Sequence, residues 1–388
     1  MAVKTGIIIF KETKNIGDDI QTYAAFKRLK KIDYFIERER MNEFKSENKE
    51  TVKTILNGWF LHERVRLPLS PYIEPLFISS HFSGFDDFYG ISDEYLDGYM
   101  SEYLKRYEPV GARDKGTLNR FKQRGIDTYL SHCLTLTIPR FKSLKQEKKI
   151  SLVDVSESIV KDVEKNYKDK VNIVTHTLDK EEHSLLSNAD RMKKTEDLLK
   201  EYQSSELVIT SRLHCALPCL ALEVPVLLIM DNDSEDIVTR LGDFLFLLNH
   251  TTEKEFLSKG FDHYKDIKVK KDHYDIQKEL IKTVDSFMKK DIKDKKLDYK
   301  EELVKNNQRM NDLLTIRNTY SEEYRKRSLD MVELEYSVEY WSKEFHTLLK
   351  KYEDLKKENH DIKNQNEELL REKNRSILEK LKSKFKRS

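Results

Sequence analysis

Residues Glu206–Ile229, ELVITSRLHCALPCLALEVPVLLI, place an apolar helical stretch between two short apolar runs. The runs Leu207–Thr210 and Val226–Met230 have the length and the uninterrupted apolar character of strands that are buried on both faces. Alternation of such strands with helices is typical of parallel βαβ units. This stretch therefore predicts an α/β fold.

The same alternation extends through about the first 290 residues. Thr5–Phe10 is an apolar run followed by a polar loop and the helical pattern Asp19–Leu29, and Val110–Ala112 precedes the helical pattern Gly116–Gln123. Two more runs have strand character: Lys149–Val155 and Val171–Thr175. A charged, linker-like stretch at residues 141–148 divides the pattern, so we expect two α/β halves, residues 1–145 and 146–290. Residues 45–105, which contain Trp59 and three prolines, fit no element by pattern.

Composition excludes several classes of protein. The 388 residues include 71 Lys and Arg against 69 Asp and Glu, and this net charge of +2 gives no reason to expect a protein that binds nucleic acid. The sequence lacks a run of about 18 apolar residues that would span a bilayer. The start, MAVKTGIIIFKETK, has the character of a first strand rather than a secretory signal. Cys133, Cys215 and Cys219 lie in apolar surroundings without metal-ligand spacing, so we expect free thiols and a cytoplasmic protein.

A heptad pattern begins at Leu303, after the last proline and glycine of the chain. Between Met331 and Leu355 every a and d position is apolar, and Asn359 and Asn366 occupy later a positions. We therefore expect residues 295–388 to form a long α-helical coiled coil that makes a homo-oligomer. The alternative is a solvated helix that folds back on its own chain as an antiparallel hairpin.

Residues 376–388 form a short basic amphipathic end. The apolar Ile377, Leu378, Leu381 and Phe385 alternate with lysines and an arginine. Such a segment can make peripheral contact with an anionic membrane surface. A frayed, solvated helix end explains the pattern equally well.

Polar side chains follow the predicted strands at their carboxyl ends, where ligands bind in open parallel sheets. They are Asn15–Asp19 after the first strand, Arg113 and Asp114, His176, Ser211–His214, and Asp231 after Val226–Met230. Arg212 and His214 open an apolar helix, whose amino terminus favours anions. We therefore expect a ligand site at this edge.

Each group also has a plain structural interpretation. Asn15–Asp19 fits a turn with Gly17 at positive φ and Asp18 capping the next helix. Arg113 and Asp114 fit a surface ion pair with a helix cap, and His176 fits an ordinary strand-end residue.

Three segments resemble the polysaccharide pyruvyltransferase family: NIGDDIQTYAA from Asn15, VGARDKGTLNRFKQRG from Val110, and the opening stretch from Glu206. The resemblance covers roughly residues 3–250, and its most specific part is Arg212-Leu213-His214 before the apolar helix. Glu223 departs from the small residue that such sequences commonly carry before Val-Pro, so the local loop is expected to differ. The predicted coiled coil lies outside the resemblance.

The resemblance implies two Rossmann-like domains that face a cleft, as in GT-B glycosyltransferases. It also implies transfer of pyruvate from phosphoenolpyruvate, as co-substrate, to two hydroxyls of one sugar of a surface glycan or its lipid-linked precursor, giving a cyclic ketal. By similarity, Arg212 and the backbone of Leu213 hold the donor, His214 donates a proton, and Asp18 is the base or orients a hydroxyl. Arg113, preferred to Arg191 for its strand-end position, is a second donor clamp. Asn15, His81 and His176 are acceptor-side candidates, and neither metal nor other cofactor is implied.

Two other functions compete with this one. A nucleotide-sugar glycosyltransferase would share the architecture and use Glu235 or Asp236 for the nucleotide. A non-catalytic assembly protein would use the coiled coil as its working part. The joint presence of Asp18, Arg113, Arg212 and His214 favours the enzyme.

Overall fold

The computed structural model describes residues 3–61, 67–84, 92–230, 242–292, 299–319, 347–352 and 355–357. Contacts divide the chain into two units, Met1–Leu313 and Leu314–Ser388. All the elements named below lie in the first unit, except that the last helix continues past its end.

The amino-terminal part of the chain contains eight of the described strands. Its elements are, in chain order, β1 (Lys4–Ile9), α1 (Ile16–Arg28), β2 (Tyr34–Glu37), β3 (Val52–Leu56), β4 (Trp59–Phe60), β5 (Ile73–Phe77), β6 (His81–Phe82), α2 (Ser92–Tyr95), α3 (Ser101–Lys105), β7 (Val110–Ala112), α4 (Lys115–Gln123) and β8 (Thr128–Leu130).

The following part contains five more described strands and the longer helices. Its elements are β9 (Ile150–Val153), α5 (Glu157–Tyr167), β10 (Val171–Val174), α6 (Lys180–Leu185), α7 (Asn188–Ser204), β11 (Leu207–Thr210), α8 (Leu213–Ala221), β12 (Val226–Met230), β13 (Asn249–Thr252), α9 (Glu253–Lys259), α10 (Tyr274–Lys289) and α11 (Tyr299–Thr319).

The strands form two larger parallel sheets. The first has the order β2-β1-β3-β5 and the second the order β10-β9-β11-β12-β13. Every pairing within the two sheets is parallel, and so are the short pairs β4-β6 and β7-β8. The α/β prediction is therefore confirmed. The strands β2, β3, β5 and β13 were missed, because β2 and β3 mix polar residues into the pattern, β5 contains Pro75, and β13 is largely polar.

The two sheets share one continuous hydrophobic core. It joins Ile7 and Ile55 of the first sheet, Leu134 of the turn that follows β8, and Val208 and Cys215 of the second part. All three cysteines are buried and free, as expected. Because the core is continuous, side chains at the carboxyl edges of both sheets are held on a common rigid framework.

Helix α10 follows the second sheet in the chain but also contacts the first. Its Leu280 and Val284 lie in the shared core. The buried ammonium of Lys53, on β3, donates to the carbonyl oxygens of Phe287 and Met288 at 2.9 and 3.0 Å. A cation at the carboxyl end of a helix satisfies its unpaired carbonyls and favours the helix dipole. The division of this unit into domains at about residue 145 stays a prediction.

Helix α11 contains the first residues of the heptad pattern. Its Asn306 is buried, contacts Tyr95 and donates to the carbonyl of Leu67 at 2.7 Å. Glu302 accepts from Arg106 at 2.9 Å. The side chain of Asn306, a d position of the heptad pattern, is therefore hydrogen-bonded to residues of its own chain. The coiled coil beyond stays a prediction, because residues 320–346, 353–354 and 358–388, with the basic end, lie outside the described residues.

Candidate active site

The loop after β1 carries the first group of candidate residues. Asn15 caps α1, and its side-chain oxygen accepts from the backbone of Gly17 at 2.8 Å. Helix α1 therefore begins at Ile16, and Asp18 lies within its first turn rather than at its cap. The alternative with Gly17 at positive φ is wrong, since the positive-φ glycines of the described residues are Gly125 and Gly260.

Gly17 brings the first turns of α1 and α8 together. A Cβ atom built on Gly17 would lie 3.2 Å from the Cβ of His214 and 2.9 Å from Oδ1 of Asn15. Both distances are shorter than comfortable van der Waals contact. The absence of a side chain at residue 17 therefore lets His214 approach the turn that carries Asp18.

Asp18 lies half-buried at this junction. Its carboxylate accepts from Thr13 at 2.6 Å and from Gln21 at 3.2 Å. Burial raises the pKa of Asp18 above its ordinary value, although Arg38 and Arg113 favour the ionised form. A carboxylate with a raised pKa is a stronger base, which suits proton abstraction near neutral pH.

A buried polar group lies at β6 and after β7. It consists of His81, the first residue of β6, and of Arg113 and Asp114, which follow β7. Arg113 and Asp114 are 3% and 1% exposed, so their ion pair, with Nε of Arg113 3.7 Å from Oδ2 of Asp114, is present but buried rather than at the surface. The cap interpretation is confirmed, because Asp114 accepts from the backbone of Thr117 at 2.8 Å. Nδ1 of His81 lies 2.6 Å from Oδ2 of Asp114. Burial opposes ionisation of Asp114, but His81 and Arg113 outweigh it and hold its pKa below the ordinary value.

Arg212 stands at the N-cap position of α8 and is exposed. Its Nε donates to Oδ2 of Asp154, which follows β9, at 2.7 Å. The Arg212 side chain makes no capping hydrogen bond, and Leu213 begins the helix. The salt bridge to Asp154 therefore orients the guanidinium through Nε, beside a helix amino terminus that favours anions.

His176 lies after β10 and joins the two parts of the chain. Its ring Nε2 is 2.7 Å from the hydroxyl of Tyr202, and its backbone nitrogen donates to Asp154 at 3.1 Å. Its carbonyl accepts from the backbone of Ile16 at 2.9 Å. The side chain is 1% exposed, so these contacts point to a structural role rather than to contact with an acceptor.

Four residues at this edge were not assigned a role by the sequence analysis: Arg38, Asp19, His183 and Asp154. Arg38 follows β2 and acts electrostatically on Asp18. Recognition of YFIE as a strand would have identified Arg38 by the same strand-end rule. Asp19 belongs to the group Asn15–Asp19 that the same rule selected, and Asp154 directly follows β9. His183 had no such signal, because its partner Asp19 comes from a distant part of the chain.

The guanidinium of Arg191, the less favoured donor clamp, forms a buried ion pair. Its Nη2 donates to Oδ1 of Asp19 at 2.5 Å and to the carbonyl of Phe10 at 2.7 Å. The side chain is 2% exposed. Asp231, Glu235 and Asp236 lie outside the described residues.

The described part of the chain contains no group of three side chains that could hold a metal ion. Within the same ranges, none of the helices is both long enough and apolar enough to cross a bilayer.

Comparisons with known proteins were made on sequence and on structure. A sequence model of the polysaccharide pyruvyl transferase family matches residues 15–234. No curated protein matches the sequence. A solved structure of a functionally uncharacterised protein from Klebsiella pneumoniae is 15% identical in sequence. The match covers 64% of this chain and 93% of the Klebsiella chain, with a TM-score of 0.39. A variant of the wall teichoic acid polymerase TagF is 11% identical, with 80% and 89% covered and a TM-score of 0.36. Structural likeness at this level carries no information about activity.

Proposed function

The chain belongs to the polysaccharide pyruvyl transferase family, and from that premise we propose that it transfers pyruvate from phosphoenolpyruvate to a sugar of a surface glycan or its precursor as a cyclic ketal. In this proposal the protein is cytoplasmic and its acceptor is a glycan or lipid-linked glycan. The coiled coil joins copies of the chain into a homo-oligomer.

The reaction requires proton transfer at two places. Protonation of the methylene carbon makes the central carbon of the donor electrophilic, and a sugar hydroxyl attacks it as that hydroxyl loses its proton. A second hydroxyl then attacks the same carbon and displaces phosphate. Of the two hydroxyl protons, one balances the proton added to the methylene carbon and the other leaves with phosphate. An acid and a base must therefore flank the same carbon.

His214 is the proposed acid and Asp18 the proposed base. The first turn of α1, which carries Asp18, meets the start of α8, which carries His214: a Cβ on Gly17 would lie 3.2 Å from the Cβ of His214, and this close approach is the observation that carries the proposal. The raised pKa of Asp18 strengthens it as a base. Activity should rise with pH as Asp18 ionises.

Three groups are proposed to hold the doubly anionic donor. Arg212, fixed by Asp154, and the backbone of Leu213 bind one anionic group at the start of α8. Arg113 is the proposed second clamp, because it directly follows β7 and acts electrostatically on Asp18. Asn15 remains an acceptor-side candidate, whereas the burial of His81 and its contact with Asp114 favour a structural role, as for His176.

Ligand-induced stabilisation tests the donor. Phosphoenolpyruvate should raise the melting temperature, because a ligand that binds only the folded state stabilises it. A panel of nucleotide sugars serves as the comparison. Stabilisation by a nucleotide sugar and not by phosphoenolpyruvate would instead favour the glycosyltransferase.

Replacement of the proposed acid tests the mechanism. His214→Ala should abolish the release of phosphate from phosphoenolpyruvate in the presence of acceptor glycan, without loss of the folded state. His263→Ala, a change at an exposed histidine, is the matched control and should keep full activity. Turnover by His214→Ala at the wild-type rate would remove the acid assignment.

Peripheral membrane contact through residues 376–388 is a separate part of the proposal. Vesicles rich in anionic lipid should sediment the full chain and not a chain that ends at residue 375. Equal sedimentation of the two chains would remove this part alone.

A further inference from the structure

A buried ion cluster holds the residue next to Asp18. Nη2 of Arg191 lies 2.5 Å from Oδ1 of Asp19, and Nε2 of His183 lies 2.6 Å from Oδ2. Nε of Arg191 donates to the second oxygen at 3.3 Å. All three side chains are at most 2% exposed. The carboxylate of Asp19 is therefore fixed on both oxygens by partners from α6 and α7.

The same junction is joined by backbone contacts. The backbone of Ile16 donates to His176 at 2.9 Å, and the backbone of Leu178 donates to Lys14 at 2.8 Å. The segment after β10 therefore holds the chain where it enters α1. Helices α6 and α7 hold the first turn of α1 at Asp19. Asp18 stands between these two attachments.

We propose that Asp19, clamped by Arg191 and His183, is the positioning residue for Asp18: it fixes the first turn of α1 against α6 and α7 and maintains a negative charge beside the proposed base. This inference rests on the proposed function for the role of Asp18 as base. Asp19 itself touches no reacting atom, because it is completely buried behind that turn.

The charge of Asp19 acts on Asp18 against several other groups. Burial and the charge of Asp19 disfavour the ionised form of Asp18. Arg38, the hydroxyl of Thr13 and Arg113 favour it. Across the junction, α8 contributes His214, and Gln21 donates from α1 itself. Loss of the Asp19 charge should therefore lower the pKa of Asp18.

The experiment follows the protonation of Asp18 directly. The full chain is labelled with 13C at the aspartate carboxyl carbons, and Asp18→Asn identifies the Asp18 signal in a pH titration. Asp19→Asn should shift the titration midpoint of Asp18 to lower pH. Asp33→Asn is the matched control: it removes a carboxylate paired with Lys4 at the opposite end of β1, and it should leave the midpoint unchanged. An unchanged midpoint in folded Asp19→Asn would overturn the inference.

A second variant covers the case in which Asp19→Asn does not fold, since it leaves a buried guanidinium without its carboxylate. Asp19→Asn with Arg191→Gln replaces the ion pair by two neutral amides. A smaller downward shift is expected, because the positive charge of Arg191 is lost together with the negative charge of the adjacent Asp19. A midpoint equal to that of the wild type would again overturn the inference.

Kinetics separate a positioning role from a merely structural one. In folded Asp19→Asn, the acid limb of the pH profile of kcat/KM should move to lower pH, whereas a structural role would lower the melting temperature and leave that limb in place. If the wild type does not turn over phosphoenolpyruvate, the proposed function fails, but the titration still decides whether Asp19 controls Asp18.

Discussion

Gly17→Ala tests whether the close approach of α1 and α8 matters for catalysis. The added methyl group would lie 3.2 Å from the Cβ of His214 and 2.9 Å from Oδ1 of Asn15. Carbon atoms in favourable contact are about 3.5–4.0 Å apart, so the two first turns would have to separate by a few tenths of an ångström. The change therefore acts directly on the spacing of His214 and Asp18.

The expected effect on stability is modest. Overpacking of this kind costs about 1–3 kcal/mol, and displacement of the Asn15 cap costs about 1 kcal/mol more. Alanine regains about 1 kcal/mol over glycine inside a helix. The net loss of about 1–3 kcal/mol corresponds to a fall in melting temperature of roughly 1–4 °C for a chain of this size.

Turnover is expected to fall together with stability. A misplacement of about 1 Å can cost about 100-fold in rate, so a displacement of a few tenths of an ångström should lower kcat by up to about 10-fold. The assay measures release of phosphate from phosphoenolpyruvate with acceptor glycan, at a temperature where both proteins are folded.

The control for Gly17→Ala is another glycine. A Cβ on Gly242 would meet nothing within 4 Å, so Gly242→Ala should change neither stability nor turnover. Wild-type kcat in Gly17→Ala, with its melting temperature lowered as expected, would refute the catalytic importance of the approach.

Three further predictions concern stability and assembly. Lys53→Met should lower the free energy of unfolding by about 2 kcal/mol, because the carbonyls at the end of α10 lose their charged donor. Chemical denaturation measures this free energy. As the control, Lys282→Met changes an exposed lysine and should have no effect. The lowered pKa of Asp114 means that it stabilises the folded state above the unfolded value of about 4, and that this contribution is lost as the pH falls through the folded pKa. Melting temperatures measured from pH 6 to pH 3 should therefore fall less steeply for Asp114→Asn than for the wild type, and parallel curves would contradict this assignment. Removal of residues 320–388 should convert an oligomer to a monomer in light scattering, and equal masses per chain would argue against self-association through the coiled coil.

Part of the candidate site could be predicted because it depends on local order along the chain. Asp18, Arg113 and His214 each follow an apolar run closely, and the carboxyl ends of parallel strands meet at one edge of a sheet. The sequence therefore identified the side chains that gather there. It did not identify Arg38, since β2 was not recognised, and it misjudged Gly17, whose role is close packing rather than a turn.

The sequence by itself determined the parallel α/β character, the apolar helix α8 and the free, buried cysteines, because each depends on hydrophobic pattern within a few turns or strands. Only the tertiary structure decided which groups these side chains contact. It buries Arg113. It also pairs Arg191 with Asp19 and Arg212 with Asp154, which are distant from each other in the chain. A charged side chain takes its chemical role from whatever neutralises it, and that neighbour is known only after the chain has folded.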